Sequence, residues 1–79
     1  ALVAAGEKDA ARGQAERLAN EARDCHPAHF NLGLAFWLAD DPRRARHHFE
    51  ESIRFAESDS QRQDSYRQIE ALERQYRAS

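Results

Sequence analysis

Little in this chain can cross-link, kink or form a sheet. It holds a single cysteine, Cys25, so no disulfide can close within it. A chain of 79 residues without disulfides fits a reducing compartment, or a fragment stabilised by neighbours. Prolines number two, Pro27 and Pro42, and glycines three. β-Branched residues are limited to Val3, Ile53 and Ile69, which argues against strands. No apolar run approaches the ~20 residues that span a bilayer, so no membrane partner is expected. The formal net charge of −2 creates no strong field toward nucleic acid or an anionic surface. Methionine is absent and the first residue is Ala1, which leads us to expect a piece cut from a longer protein. No signal peptide is visible. The expected location is the cytoplasm, any signal in a missing N-terminal part left aside.

What is present favours helix. Alanine occurs fifteen times and arginine eleven. Charged residues make up 33% and apolar residues 41%, a composition that is neither disordered nor membranous. The core is small, since a domain of this size buries only roughly 60% of the surface of its unfolded chain. His26-Pro27 and Asp41-Pro42 each open a segment, because proline suits the first turn of a helix and Asp41 is a good N-cap. Ser60 followed by Gln63 reads as a capping box. These signals predict helices over about 8–24, 27–39, 42–57 and 60–77. Connections this short make neighbouring helices antiparallel.

Each segment has its own periodicity. Ala11, Ala15, Leu18 and Ala22 form one stripe; Ala45, Phe49, Ser52, Ile53 and Ala56 form another; Tyr66, Ile69, Leu72 and Tyr76 form a third. Glu50 with Arg54, Glu70 with Arg74 and Glu73 with Arg77 are helix-surface pairs in the favourable order. The second segment differs, because only His29 and Asn31 within it are polar. Leu32, Gly33, Ala35 and Phe36 cover one side. Phe30, Leu34 and Trp37 cover nearly the opposite side, with Leu38 and Pro27 beside them. A helix apolar all round is normally buried on two sides.

A slide of 34 residues superposes the helical stripes without a gap and pairs Ala11 with Ala45, Arg12 with Arg46, Glu16 with Glu50 and Ala22 with Ala56. Such a period of helix–turn–helix marks a repeat array. Residues 26–59 also read His29-x2-Leu32-Gly33-x2-Phe36, then Ala45-x3-Phe49-x2-Ser52. This resembles the tetratricopeptide repeat, whose pattern is aromatic-x2-Leu-Gly-x2-Tyr, then Ala-x3-Phe. His29 stands where the family usually has an aromatic, and Ser52 where it usually has alanine. Gly33 and Ala45 would be the small residues at a close helix contact, with Leu32, Phe36 and Phe49 filling the space around it. The resemblance implies an all-α fold of stacked antiparallel hairpins in a single domain over 1–79. Residues 1–25 would end a preceding repeat, 26–59 would be a full repeat, and 60–79 a C-terminal capping helix. Arg67 occupies the family's small position, so the last segment reads as a polar cap rather than a repeat.

The resemblance also implies function. First helices of successive repeats in this family line a concave groove that binds peptides. Phe30, Leu34, Trp37 and Leu38 are the candidate partner-binding residues, for an apolar peptide or helix. The bland alternative is that they pack on residues 1–5, on the fourth helix or on upstream repeats. A family branch that clamps the C-terminal carboxylate of chaperone tails uses Lys, Asn and Arg; Phe30, Leu34, Asp64 and Gln68 stand in those places, so that partner is not expected. The alternative function is self-association through the second helix, or through the end near Leu2 and Val3.

Other constellations point nowhere sharper. Arg43, Arg44, Arg46, His47 and His48 form a basic run, which Asp40, Asp41, Glu50 and Glu51 bracket as a solvated face. Cys25, His26, His29, His47 and His48 invite a metal reading. In an antiparallel hairpin His29 would lie opposite Ser52 and His47 opposite Leu34, an axial offset of roughly 7 Å that is too long to share an ion. Cys25, His26 and His29 alone have no carboxylate clearly beside them. No cofactor and no metal are expected. No nucleophile–base set or glycine-rich phosphate loop is present, so this is not expected to be an enzyme.

Overall fold

Four α-helices in sequence make the fold: α1 (Ala5–Glu21), α2 (His26–Leu38), α3 (Pro42–Arg54) and α4 (Asp59–Arg77). The structure is a computed structural model that describes residues 5–77, and Leu2 and Val3 lie outside it. Among the described residues there is no strand, and no helix is long and apolar enough to cross a membrane. The fold is all-α.

The helix ends follow local chemistry. Asp41 caps α3, its Oδ1 accepting from the N–H of Arg44 at 3.2 Å, with Pro42 at the first position. Asp40 before it takes φ 60°, a left-handed turn that Asp tolerates better than most side chains. Four expected ends move, the first being the start of α1, at Ala5 rather than about 8. α1 stops at Glu21 rather than 24, since residues 22–25 are needed to bring the chain to Cys25, which is extended at φ −146° and ψ 159°. α3 stops at Arg54 rather than 57, its last turn closed by Phe55 N–H on Glu51 O and Ala56 N–H on Ile53 O. The cap of α4 is Ser58 with Gln61, not Ser60 with Gln63. Ser58 Oγ accepts from Gln61 N–H at 3.2 Å, and Gln61 Oε1 accepts from Glu57 N–H at 2.7 Å.

Consecutive helices pack antiparallel. Between α2 and α3, His26 meets Ser52 near one end and Phe36 meets Arg44 near the other. Between α3 and α4, Ser52 meets Ser65 and Arg46 meets Glu73. α1 runs back along α2, so Lys8 reaches Asp40 at 3.1 Å. Tyr76, near the end of α4, donates its hydroxyl to the same Asp40 at 2.6 Å. Asp40 therefore ties the first and last helices to the α2–α3 turn. Its pKa is lowered, first by the Tyr76 hydrogen bond and then by Lys8. The Tyr76 hydroxyl is pushed up to about 12 by burial and by that same carboxylate.

The core is Ala15, Leu32, Phe36, Ala45, Phe49 and Leu72. Phe36 and Phe49 are its largest members, and burying a side chain of that size contributes about 1.5–3 kcal/mol. Two stripe residues are not inside: Leu18 is 51% and Tyr66 48% exposed. On α4 the buried stripe begins at Ser65 rather than Tyr66 and continues through Ile69, Leu72 and Tyr76. Ser65 can go inside because its hydroxyl has a partner, Ser52 Oγ at 2.6 Å, whereas Tyr66 is too large for that contact. Of the expected surface pairs, Glu70–Arg74 and Glu73–Arg77 form, while Arg54 turns to Glu51 instead of Glu50.

Candidate functional site

The two sides of α2 have different fates. Leu32, Gly33 and Phe36 are buried against α3. Gly33 faces the ring of Phe49 so closely that a Cβ there would stand 2.6 Å from two of its carbons. The other side carries Phe30, Leu34, Trp37 and Leu38, which helical spacing places on one face. Phe30, Leu34 and Trp37 are half-buried and pack on the edge of the core. Phe30 and Trp37 both meet the Phe49 ring edge-on, with centroids 5.6 and 6.2 Å away. Leu38 is 68% exposed.

The rim of this face comes from α4. Trp37 donates its indole N–H to Gln75 Oε1 at 3.0 Å. Asp64, Gln68 and Ala71 share a helix face with Gln75 by spacing, and all four are exposed or half-buried. The result is an apolar strip on α2 with the polar side chain of Gln75 from α4 against it. Gln75 carries no apolar signal, so periodicity could not have singled it out.

A second constellation lies on α2 and α3. Four near-parallel rings follow one another in an offset column, Phe36, His48, His29 and Phe55, with successive centroids 5.3, 5.4 and 5.5 Å apart and planes within 16°, and His48 and His29 meet in it edge to edge through their Nδ1 atoms. His29 is buried and its Nε2 lies 3.2 Å from Asp24 Oδ1, while its Nδ1 lies 3.2 Å from His48 Nδ1. Asp24 is acceptor-only when ionised, so Nε2 of His29 carries the proton and its Nδ1 offers a lone pair. With His29 neutral, His48 donates Nδ1–H to that lone pair. Burial, with the charges of His47 and His29 beside it, pushes the His48 pKa down to about 4. His26 donates Nδ1–H to the carbonyl of Ser52 at 2.9 Å.

These contacts correct three expectations. His26, not His29, lies across from Ser52, so His29 meets His48 rather than passing His47 at a distance. A carboxylate, Asp24, does stand beside His29. His48 is half-buried in the ring column and is not part of a solvated face. Arg44 and Arg46 of the basic run are solvated but paired. Arg44 reaches Glu16 at 3.1 Å and Asp41 at 3.5 Å, and Arg46 reaches Glu50 at 3.5 Å and Glu73 at 2.9 Å. Beside the column is an open cleft of about 400 Å³, lined by Glu16, Ala19, Asn20, Phe36, Arg44, His47 and His48. Among the described residues no group of three or more His, Cys, Asp and Glu could hold a metal ion.

Comparison of the chain with known protein families, with curated proteins and with solved structures gives no match.

Proposed function

We propose that this chain is a protein–protein interaction module of the tetratricopeptide type, which takes an apolar peptide or helix of a partner on the open side of α2. The observation that carries the reading is the divided helix. One apolar side closes the core with α3, and the other keeps Phe30, Leu34 and Trp37 half-buried and Leu38 exposed. An apolar strip with a polar border is the usual form of a helix-in-groove site.

The motif positions support the family reading. His29, Leu32, Gly33, Phe36, Ala45, Phe49 and Ser52 are all buried; Gly33 meets Phe49 and His29 meets His48 between α2 and α3, while the Ser52 hydroxyl faces Ser65 of α4. In that reading α2 and α3 are the two helices of one repeat, α1 is the second helix of the repeat before it, and α4 is the cap. Self-association is the alternative, and the exposure of Leu38 favours it more than any other single feature.

The test uses a displayed library of amphipathic helical peptides selected on the 79-residue chain. Selected peptides are expected to shift Trp37 fluorescence and to lose binding to Leu34→Arg and Leu38→Arg variants that remain folded. Peptides that bind both variants unchanged would place recognition elsewhere. A chain that sediments as a dimer, and as a monomer after Leu38→Arg, would favour self-association.

A further inference from the structure

We propose that His48 is the nucleophile of an acyl-transfer site, with His29 as its base and Asp24 behind it, and that the cleft beside it hydrolyses small aryl esters. The order of the hydrogen bonds is the first reason. A nucleophile within hydrogen-bond reach of a base, itself oriented by a third group, is the arrangement that activates a side chain for covalent catalysis. Here Asp24 Oδ1 lies 3.2 Å from His29 Nε2, and His29 Nδ1 lies 3.2 Å from His48 Nδ1. The carboxylate accepts the N–H of His29 Nε2, the Nδ1 of His29 accepts the N–H of His48 Nδ1, and the lone pair of His48 is left on its Nε2. No spacing in the sequence marks this set, because its members come from a turn, from α2 and from α3.

The exposure of that last nitrogen is the second reason. Among the described residues no buried side-chain nitrogen or oxygen lacks a hydrogen-bond partner, and His48 Nε2 has no partner there, so it reaches solvent. His48 lines the open cleft of about 400 Å³ together with Phe36, Arg44, His47 and Glu16. Burial, with the charges of His47 and His29, pushes its pKa down to about 4, so the lone pair is free at neutral pH. Arg44, exposed and paired with Glu16, brings a positive charge to the same cleft, where a developing oxyanion gains from it.

In the reaction, Nε2 of His48 attacks the ester carbonyl carbon and a C–N bond forms. Positive charge rises on the imidazole, and its Nδ1 proton passes to Nδ1 of His29, where the imidazolium faces Asp24. The ester C–O bond then breaks, the phenolate leaves, and the proton on His29 goes to solvent. The acyl group stays on Nε2 of His48. Water attacks the acyl carbon and the C–N bond breaks. One proton of that water restores Nδ1–H on His48, and the other leaves with the carboxylic acid.

The test is the hydrolysis of p-nitrophenyl acetate by the 79-residue chain at neutral pH, read as release of p-nitrophenolate. The chain is expected to react faster than four equivalents of free imidazole, one for each of its histidines. His48→Gln, at a half-buried position, is expected to keep the helical circular dichroism of the wild type and to lose the acceleration. Asp24→Asn, at an exposed position, is expected to slow the reaction roughly 10–100-fold, at or below the low end of what a positioned proton transfer contributes, and Asp24→Glu to recover part of the rate. His47→Gln is expected to leave the rate unchanged. A wild-type rate no greater than that of free imidazole, an equal rate in His48→Gln, a full rate in Asp24→Asn, or a loss in His47→Gln would each overturn the site.

Discussion

The ring of Phe49 occupies the space that a side chain on Gly33 would need: a Cβ there would stand 2.6 Å from Cδ1 and Cε1 and 2.8 Å from Cζ. Phe49 is fully buried, so its ring has no open space to move into. Gly33→Leu should therefore overpack the α2–α3 contact and cost roughly 1–3 kcal/mol or more. At an exposed helical position, replacing glycine would instead gain up to ~1 kcal/mol from propensity. Urea denaturation gives the sign directly, and a stabilised variant would contradict the close contact.

The buried serines should behave as a unit. Ser52 Oγ donates to the carbonyl of Phe49 at 2.5 Å, which leaves Ser65 to donate to Ser52. Ser52→Ala strands the Ser65 hydroxyl inside the protein, at a cost of about 1–3 kcal/mol. Removing Ser65 as well removes the stranded group. The double variant Ser52→Ala/Ser65→Ala should be no less stable than Ser52→Ala alone, and strict additivity in the cycle would contradict the pairing.

Acid should loosen the ring column. The folded-state pKa of His48 is about 4, below the ordinary histidine value of 6.5. Between those values the unfolded chain binds more protons, so stability is full above about pH 6.5, falls toward pH 4 and then levels as far as this group is concerned. His48 is only half-buried, so screening reduces the effect to about 1 kcal/mol. Denaturation midpoints between pH 7.5 and 4.5, measured with chelator present, should fall less steeply for His48→Gln than for the wild type. Equal slopes would contradict this origin.

Much of this was legible along the chain because the governing signals are local. Asp41-Pro42 marks the start of α3, and the Leu32-Gly33-x2-Phe36 and Ala45-x3-Phe49 spacings mark the buried contact. The missed features depend on how one helix is set against another. A shift of about one turn in the hairpin decides whether His29 faces Ser52 or His48. On α4, Ser65, Ile69, Leu72 and Tyr76 have good helical spacing, yet an apolar count prefers Tyr66 to Ser65. Only the hydroxyl of Ser52 on the neighbouring helix makes the serine the buried member. Asp24 went unassigned because its partner nitrogen is fixed by the turn at residues 22–25. The polar border from Gln75 could be found only once α4 had been placed beside Trp37.

The central claim is that one side of α2 holds the fold while the other is kept for a partner. The direct measurement is the urea-denaturation midpoint of Leu32→Ala beside that of Leu34→Arg. Leu32 is 2% exposed in the core, and its truncation should cost about 2–5 kcal/mol, enough to unfold much of so small a domain. Leu34 is half-buried at the edge, and an arginine stem can cover the same surface with its charge in water. Leu34→Arg should cost under about 1 kcal/mol and leave a folded chain. A Leu34→Arg variant as unstable as Leu32→Ala would mean that this side of α2 is core, and the reading of an open binding face would fail.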